Sequence, residues 1–395
     1  NSRRVAARPI AAKCRMPRKS SVNHVAEAAA ALQRGDLVAL PTETVYGLGA
    51  DACNPEAVLK IFAAKGRPAD HPLIVHIASH DTLESLAIDV PVAAHQLAAK
   101  FWPGPLTLIL KRSARIPLVV TGGQETVGIR CPSHPLAQEL LLAFAKIGSG
   151  VIAAPSANKF GHVSPTSARH VRDEFGEAIG KSILLLDGGS CEVGIESTIL
   201  DLSRGVPVLL RPGAISRAQI NDVIGAMPLA REEYDAKVLA IGSGKPFVER
   251  RKKPRPSSGK IPASDDTPRV SGSLAAHYAP MTPLRLLPAA ELAVQMDKLL
   301  EQGKRVAVLA FSAKPRLKPS PIGVGARNAR PLMWITADKD AVGYAQSLYA
   351  NLRTLDAAAT AMILVETPPD SVPWEAVNDR LSRAAVGSGR AEAGT

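Results

Sequence analysis

At 395 residues the chain is longer than one ordinary domain, and a hydrophobic content of 46% is enough to bury two cores. No apolar run approaches the ~20 residues that span a bilayer and the N-terminus lacks the apolar middle of a signal peptide, so the expectation is a soluble, cytoplasmic protein with no membrane partner. The net charge of +12 sits in two places, +7 in residues 1–20 and +5 in 245–269, so the remainder is neutral, which argues against a phosphate-tracking groove over the folded surface.

Residues 1–21 read as a basic disordered tail, resembling a transit peptide only weakly. An alanine-rich helix follows over Val25–Leu32, ended by Gly35, and then a short buried strand, Leu37–Leu40. That strand runs into a polar, glycine-loosened loop, Pro41-Thr42-Glu43-Thr44-Val45-Tyr46-Gly47-Leu48-Gly49-Ala50. Asn54-Pro55 caps the next helix, whose apolar stripe Val58, Ile61 and Phe62 continues at i+3 with Lys65 and so turns that lysine inward. Strands are expected at Leu73–Ile77, Leu106–Leu110, Val127–Arg130, Val151–Ala154, Ile183–Leu186, Ser197–Leu202 and Val206–Leu210, with helices at Val92–Phe101 and Ser167–Phe175. This mixture gives an α/β domain over 22–216. A connector and linker, 217–282, contains the helix Arg217–Ile224 and the Pro-, Ser- and charge-rich stretch Gly242–Arg269. Beyond it, 283–395 alternates strands at Leu284–Leu287, Val306–Phe311, Leu332–Ile335 and Met362–Val365 with helices at Ala290–Gln302, Ala341–Leu355 and Trp374–Ala385, a small doubly wound, Rossmann-like domain.

Gly242-Ser243-Gly244-Lys245 lacks the spacing and the following Ser/Thr of a phosphate loop, and Gly323-Val324-Gly325 lacks the third glycine of a dinucleotide turn. Cys14, Cys53, Cys131 and Cys191 are scattered without a C-x-x-C pair, which suggests neither a zinc site nor a disulfide framework. What remains is a set of polar groups at strand ends, where α/β sheets bind ligands. Lys65-Gly66-Arg67-Pro68 is explained in part as a helix C-cap, but capping leaves Arg67 unaccounted for. Pro155-Ser156-Ala157-Asn158 follows one strand, and Ser164 before Pro165 is an N-cap, a phosphate ligand, or both. Arg130, with His134 after it, and Arg211 each end an otherwise apolar strand, and a buried arginine wants a carboxylate or phosphate. Glu196-Ser197-Thr198 forms a further strand-end set.

L-P-T-E-T-V-Y-G-L-G, K-G-R-P, H-P-L-I-V-H-I, F-W-P-G-P-L-T, P-S-A-N and L-R-P-G, in this order, resemble the YrdC-like domain of the threonylcarbamoyl-AMP synthase family. His277-Tyr278-Ala279-Pro280 and the C-terminal domain resemble its longer two-domain form, although Ser271-Gly272-Ser273 and Leu274-Ala275-Ala276 stand where that form has S-P-G and basic residues. The resemblance implies a twisted, open mixed sheet with a concave site, a flexible linker and a Rossmann-like C-terminal domain. It also implies an enzyme that condenses L-threonine, bicarbonate or CO2, and ATP, with Mg2+ accompanying the nucleotide, into threonylcarbamoyl-AMP and pyrophosphate. The product would pass to the machinery that modifies tRNA, with direct tRNA binding weak or absent. Lys65 and Arg67 would stabilise the charge of the transition state, and Ser156 and Asn158 would orient nucleotide and carbamate. Thr42, Arg130 and Ser197 would hold threonine, while His134, Ser164, Arg211 and Tyr278 would face the nucleotide beside Lys65, Arg67 and Ser156. No residue is expected to ligate metal. The competing readings are a YrdC-like module that holds RNA without catalysis, a carbamoyltransferase subunit, and an active site located in the C-terminal domain.

Overall fold

The computed structural model describes residues 19–242, 268–272, 274–314 and 332–389. Cys14, most of the basic tail, the insert from Lys245 to Lys260 and Gly323-Val324-Gly325 lie outside the described residues. Among the described residues, Cys131 and Cys191 are buried and Cys53 half-buried, and all three are free.

The first domain is built on a mixed sheet of eleven strands among the described residues. Its centre sets Leu106–Arg112 antiparallel to Thr126–Arg130, which pairs in parallel with Ile74–His76. The order continues through Ile152–Ala153, Gly47–Asp51, Leu37–Leu40 and Ile183–Leu185 on one side, and through Thr198–Asp201, Val208–Arg211 and Leu229–Ala230 on the other. Side chains alternate across it as the pleat requires. Leu37 and Ala39 join the core under helices Pro55–Lys65 and Val92–Phe101, whereas Val38 and Leu40 meet helices Lys19–Gln33 and Pro135–Ala145.

Three elements longer than four residues differ from the sequence expectation. The glycine-loosened loop is, from Gly47 to Asp51, a buried strand. A Cβ on Gly49 would stand 2.8 Å from Ile152 Cγ2 and 2.9 Å from Leu40 Cδ2, so the neighbouring strands fill the space that its own side chain would need. Helix Pro135–Ala145 was not expected, although Pro135 at its first position and the stripe Ala137, Leu140, Leu141 and Phe144 are ordinary helix grammar. The connector carries a second helix, Arg231–Gly242, after Arg217–Ile224.

Among the described residues the second domain is a four-stranded sheet, parallel throughout, in the order Leu284–Leu287, Met362–Glu366, Val306–Ala310, Leu332–Thr336. Helix Ala289–Glu301 covers Val306, Val308, Ala310 and Leu364 on one face. Helices Ala341–Asp356 and Glu375–Gly387 cover Ala307, Leu309, Ile363 and Val365 on the other, and their cluster extends to Val45, Val163 and Ile195 of the first domain. The two domains therefore share one apolar seam. Among the described residues no helix is long and apolar enough to cross a membrane.

Candidate active site

The opening loop is folded by Thr42. Its hydroxyl donates to the Val45 carbonyl at 2.6 Å and accepts the N–H groups of Thr44 and Val45, both at 3.2 Å. This local turn presents Thr44 to Arg130, whose Nη1 donates to Thr44 Oγ1 at 2.8 Å. Arg130 Nη2 also lies 2.7 Å from Glu43 Oε1, but off line, so that neither Glu43 oxygen receives a hydrogen bond. His76 pairs with Arg130 across the sheet, and burial together with the arginine's charge pushes its imidazole down to about 3.

Helix Pro55–Lys65 is capped by the Asn54 side chain and ends at Gly66 in the left-handed region. Lys65 turns inward and donates to the carbonyls of Ser156, at 2.5 Å, and Asn158. Burial first, then the neighbouring Arg67, holds its ammonium well below the usual lysine range. The grip is mutual, because Lys159 Nζ donates to the Ala64 carbonyl at 2.7 Å and the Phe160 N–H to the Lys65 carbonyl at 2.9 Å. Arg67 donates through Nη2 to the Pro72 carbonyl at 2.9 Å, while its Nε is buried and has no partner. Burial lowers the guanidinium to about 10. Asn158 spends its amide N–H groups on the Lys159 and His162 carbonyls, which leaves Oδ1 buried and unpaired.

Arg211 gathers the far wall. It donates through Nε to the Ser197 carbonyl at 3.1 Å, through Nη2 to Ser197 Oγ at 3.2 Å, and through Nη1 to the carbonyl of Ser271 in the linker at 2.8 Å. The next residue, Gly272, has φ +77°, and a Cβ there would fall 2.0 Å from the Tyr278 hydroxyl. The linker thus reaches the site despite its departure from the family's S-P-G pattern. Tyr278 is itself held at φ +60°, fully buried, with its hydroxyl unpaired. His277 packs edge-on against it at 4.2 Å, with Nδ1 unpaired.

An open cleft beside these groups is lined by Thr42, Arg130, Ser156, Ser197, Arg211 and Tyr278 among the expected site residues, and Arg67 is not in its lining. Thr44, His76, Ser271 and His277 also line it and had not been singled out as site residues, and Glu196, noted only within the strand-end set Glu196-Ser197-Thr198, lines it too. Lys65 and Asn158 connect to the lining through the Ser156 segment, and Ser164 through Glu196, to which its hydroxyl donates at 2.7 Å. The N-cap reading of Ser164 is corrected: helix Ala168–Phe175 is capped by Ser167, which accepts from the His170 N–H. His134 stands apart as the N-cap of Pro135–Ala145, with Nδ1 accepting from the Leu136 N–H and Nε2 3.4 Å from the Gly188 carbonyl. Chemically the arrangement suits an anion: Arg130 and Arg211 line the cleft with the hydroxyls of Thr42, Thr44 and Ser197, and among the described residues the Tyr278 hydroxyl has no hydrogen-bond partner.

Residues 30–213 match the Sua5/YciO/YrdC family model, described as telomere recombination, and residues 215–386 match the model described as threonylcarbamoyl-AMP synthase, C-terminal domain. The threonylcarbamoyl-AMP synthase of Pyrococcus abyssi is 38% identical over 363 residues, 90% of this chain and 92% of that protein. The enzyme of the same name from Bacillus subtilis is 38% identical over 367 residues, 92% of this chain and 93% of that protein. The chain belongs to the two-domain threonylcarbamoyl-AMP synthase family. Its activity is that of the family. The solved structure of P. abyssi Sua5 in complex with L-threonine superposes with a TM-score of 0.72 at 36% identity, covering 92% of this chain and 94% of that one. A variant of the same protein, in which a histidine and the tyrosine after it are replaced by alanine, gives 0.73 at 35%, covering 94% and 95%.

Proposed function

We propose that the chain performs this synthesis as a nucleotidyltransferase, with L-threonine, bicarbonate or CO2, and ATP as substrates. The threonine amine adds to CO2 and releases a proton to give a carbamate. A carbamate oxygen then attacks the ATP α-phosphorus in line, the bond to the bridging oxygen of pyrophosphate breaks, and threonylcarbamoyl-AMP remains. Negative charge gathers on carbamate and phosphate together, and fixed cations stabilise it most where water is excluded. Lys65 and Arg67 supply that charge, and Ser156 and Asn158 order nucleotide and carbamate. Thr42, Arg130 and Ser197 hold threonine, while Ser164, Arg211, Tyr278 and His134 serve the nucleotide. Lys65 besides orders the Ser156–Asn158 segment, Ser164 acts through Glu196, and His134 by fixing the start of its helix. No general base is assigned, since positioning alone converts the step to an effectively unimolecular one.

Magnesium enters as part of the substrate, on the phosphates of ATP. Among the described residues no group of three or more His, Cys, Asp or Glu is placed to hold a metal, and both oxygens of the cleft's Glu196 already have protein donors. The adenylate then passes to tRNA-modifying machinery in the cytoplasm. The observation that supports this reading best is a run of contacts, Arg67 at 5.8 Å from the Phe160 ring, Phe160 at 6.2 Å from His277 and His277 at 4.2 Å from Tyr278, along which Arg67 Nε, His277 Nδ1 and the Tyr278 hydroxyl have no partner among the described residues. Pyrophosphate release from ATP should require both threonine and bicarbonate; release that persists without threonine ends the proposal.

A further inference from the structure

The cleft-lining carboxylate Glu196 is held from the other domain. Its Oε2 accepts from Arg380 Nε at 2.9 Å and from the Tyr349 hydroxyl at 2.8 Å, which leaves Oε1 to accept from Ser164 Oγ. Arg380 Nη2 also reaches the Glu196 carbonyl, at 3.4 Å, immediately before Ser197. The same two side chains hold the second cleft wall. The Arg380 guanidinium lies 5.4 Å from the centre of the Tyr278 ring, and Tyr349 stacks on that ring at 5.7 Å with 29° between planes. Arg380 and Tyr349 sit on different helices, Glu375–Gly387 and Ala341–Asp356, and neither lines the cleft. Arg380 is fully buried, and its fork is itself aimed by Asp379, whose Oδ2 accepts from Nη1 at 2.7 Å. The backbone repeats the link. A Cβ on Gly194 would fall 2.4 Å from Gln346 Cα, so the loop leading to Glu196 lies flush on helix Ala341–Asp356.

A buried ion pair is a poor route to stability when apolar residues could fill the same volume. What this one does is to fix the orientation of a carboxylate and an aromatic ring that form the wall of another domain's cleft. We propose that Arg380, assisted by Tyr349, is a positioning residue for the nucleotide side of the cleft, acting through Glu196 and Tyr278. The C-terminal domain thereby completes the ATP-binding wall without contributing an atom to it. This rests on the nucleotide reading given above.

The test uses the full-length chain as wild type, Arg380→Met, Arg380→Lys and Tyr349→Phe, with ATP affinity measured by calorimetry beside steady-state pyrophosphate release. Losing one charge-assisted bond to an oriented carboxylate should raise the ATP Kd and KM by about tenfold in Arg380→Met and about threefold in Tyr349→Phe, with the threonine KM unchanged within about twofold. Arg380→Lys, which keeps the charge and loses the fork, should fall between wild type and Arg380→Met. A purely structural role would lower the melting temperature and the active fraction, yet leave ATP affinity and the ratio of the two KM values at the wild-type level. That result in Tyr349→Phe, which keeps the ring and its packing, overturns the proposal even if Arg380→Met fails to fold. Wild-type pyrophosphate release that ignores threonine sinks the assigned reaction instead, and the ATP affinities still decide the positioning role.

Discussion

The corner around Arg67 and the seam around Arg380 are both buried and both cationic, yet their hydrogen bonding is opposite. At the seam each charge has a partner. Arg380 meets Glu196 and Asp379, Glu196 receives Ser164 and Tyr349, and Arg353 donates to Glu174 at 2.8 Å. At the corner Arg67 Nε, Asn158 Oδ1 and the Tyr278 hydroxyl have none among the described residues, although isolated buried polar groups are expensive. A closed network specifies how two domains meet, whereas a buried open one keeps donors directed at something that arrives later. The contrast separates what holds the cleft from what the cleft holds.

The largest expected effect breaks the closed side. Arg380→Ala leaves Glu196 buried without its guanidinium and should destabilise the chain by about 3–5 kcal/mol, read as a fall in denaturant midpoint at unchanged slope. A loss under about 1 kcal/mol would mean that the seam is wetter than it looks. On the open side Arg67→Met should do the reverse. Pyrophosphate formation should fall about a hundredfold or more, as when one fixed charge is removed from a transition state, while the midpoint moves by less than about 1 kcal/mol. If stability and activity fall together in Arg67→Met, the corner is scaffold and the contrast fails.

Titration gives a smaller effect that sharpens the same comparison. His76 and His277 are each pushed down to about 3; burial is the first cause for both, joined by Arg130 at His76 and, against the opposing pull of Glu196, by Arg67, Lys65 and Arg211 at His277. Glu196 is held at about 2, because Arg380, then Arg211 and the Ser164 hydroxyl, outweigh the upward push of burial. The unfolded chain takes up protons on the histidines below pH 6.5 while the folded chain does not, so their contribution is whole above pH 6.5 and is lost as pH falls toward 3. The Glu196 contribution is whole above 4.5 and is lost toward 2. Stability should therefore begin to fall near pH 6.5 by up to about 1.4 kcal/mol per pH unit for each such histidine, and since burial also lowers His170, His71 and His134, His76→Asn should remove one histidine's share of the slope between pH 6 and 5. An unchanged slope in that variant would show that His76 is protonated in the folded state.

Much of the open side was legible in the sequence. The i+3 continuation from Val58, Ile61 and Phe62 turned Lys65 inward, and arginines ending apolar strands pointed to Arg130 and Arg211 at the cleft. The closed side was not legible. Glu196 and Arg380 are 184 positions apart, and no local period or cap links a strand-end glutamate to the last helix of another domain. Ser164 was ambiguous for the same reason, since its partner is this distant glutamate and the cap falls to Ser167. Gly49 misled in the opposite sense: glycine weakens a strand by propensity, but here Leu40 and Ile152 occupy the room that a side chain would need.

The smallest effect is the most discriminating, because it compares two tyrosines stacked on one another. Tyr349 donates to Glu196, and among the described residues the Tyr278 hydroxyl has no partner. Removing a hydroxyl that is bonded to a carboxylate leaves a charged acceptor short, and Tyr349→Phe should cost about 1–2 kcal/mol. Removing an unpaired buried hydroxyl relieves a desolvation penalty, so Tyr278→Phe should be neutral or stabilising by up to about 1 kcal/mol in the protein alone. Saturating ATP should then stabilise wild type more than Tyr278→Phe, since binding to the folded state raises the melting point in proportion to affinity. If both phenylalanine variants lose stability equally without nucleotide, the Tyr278 hydroxyl has a partner in the protein, and the line drawn between the closed seam and the open corner must move to exclude it.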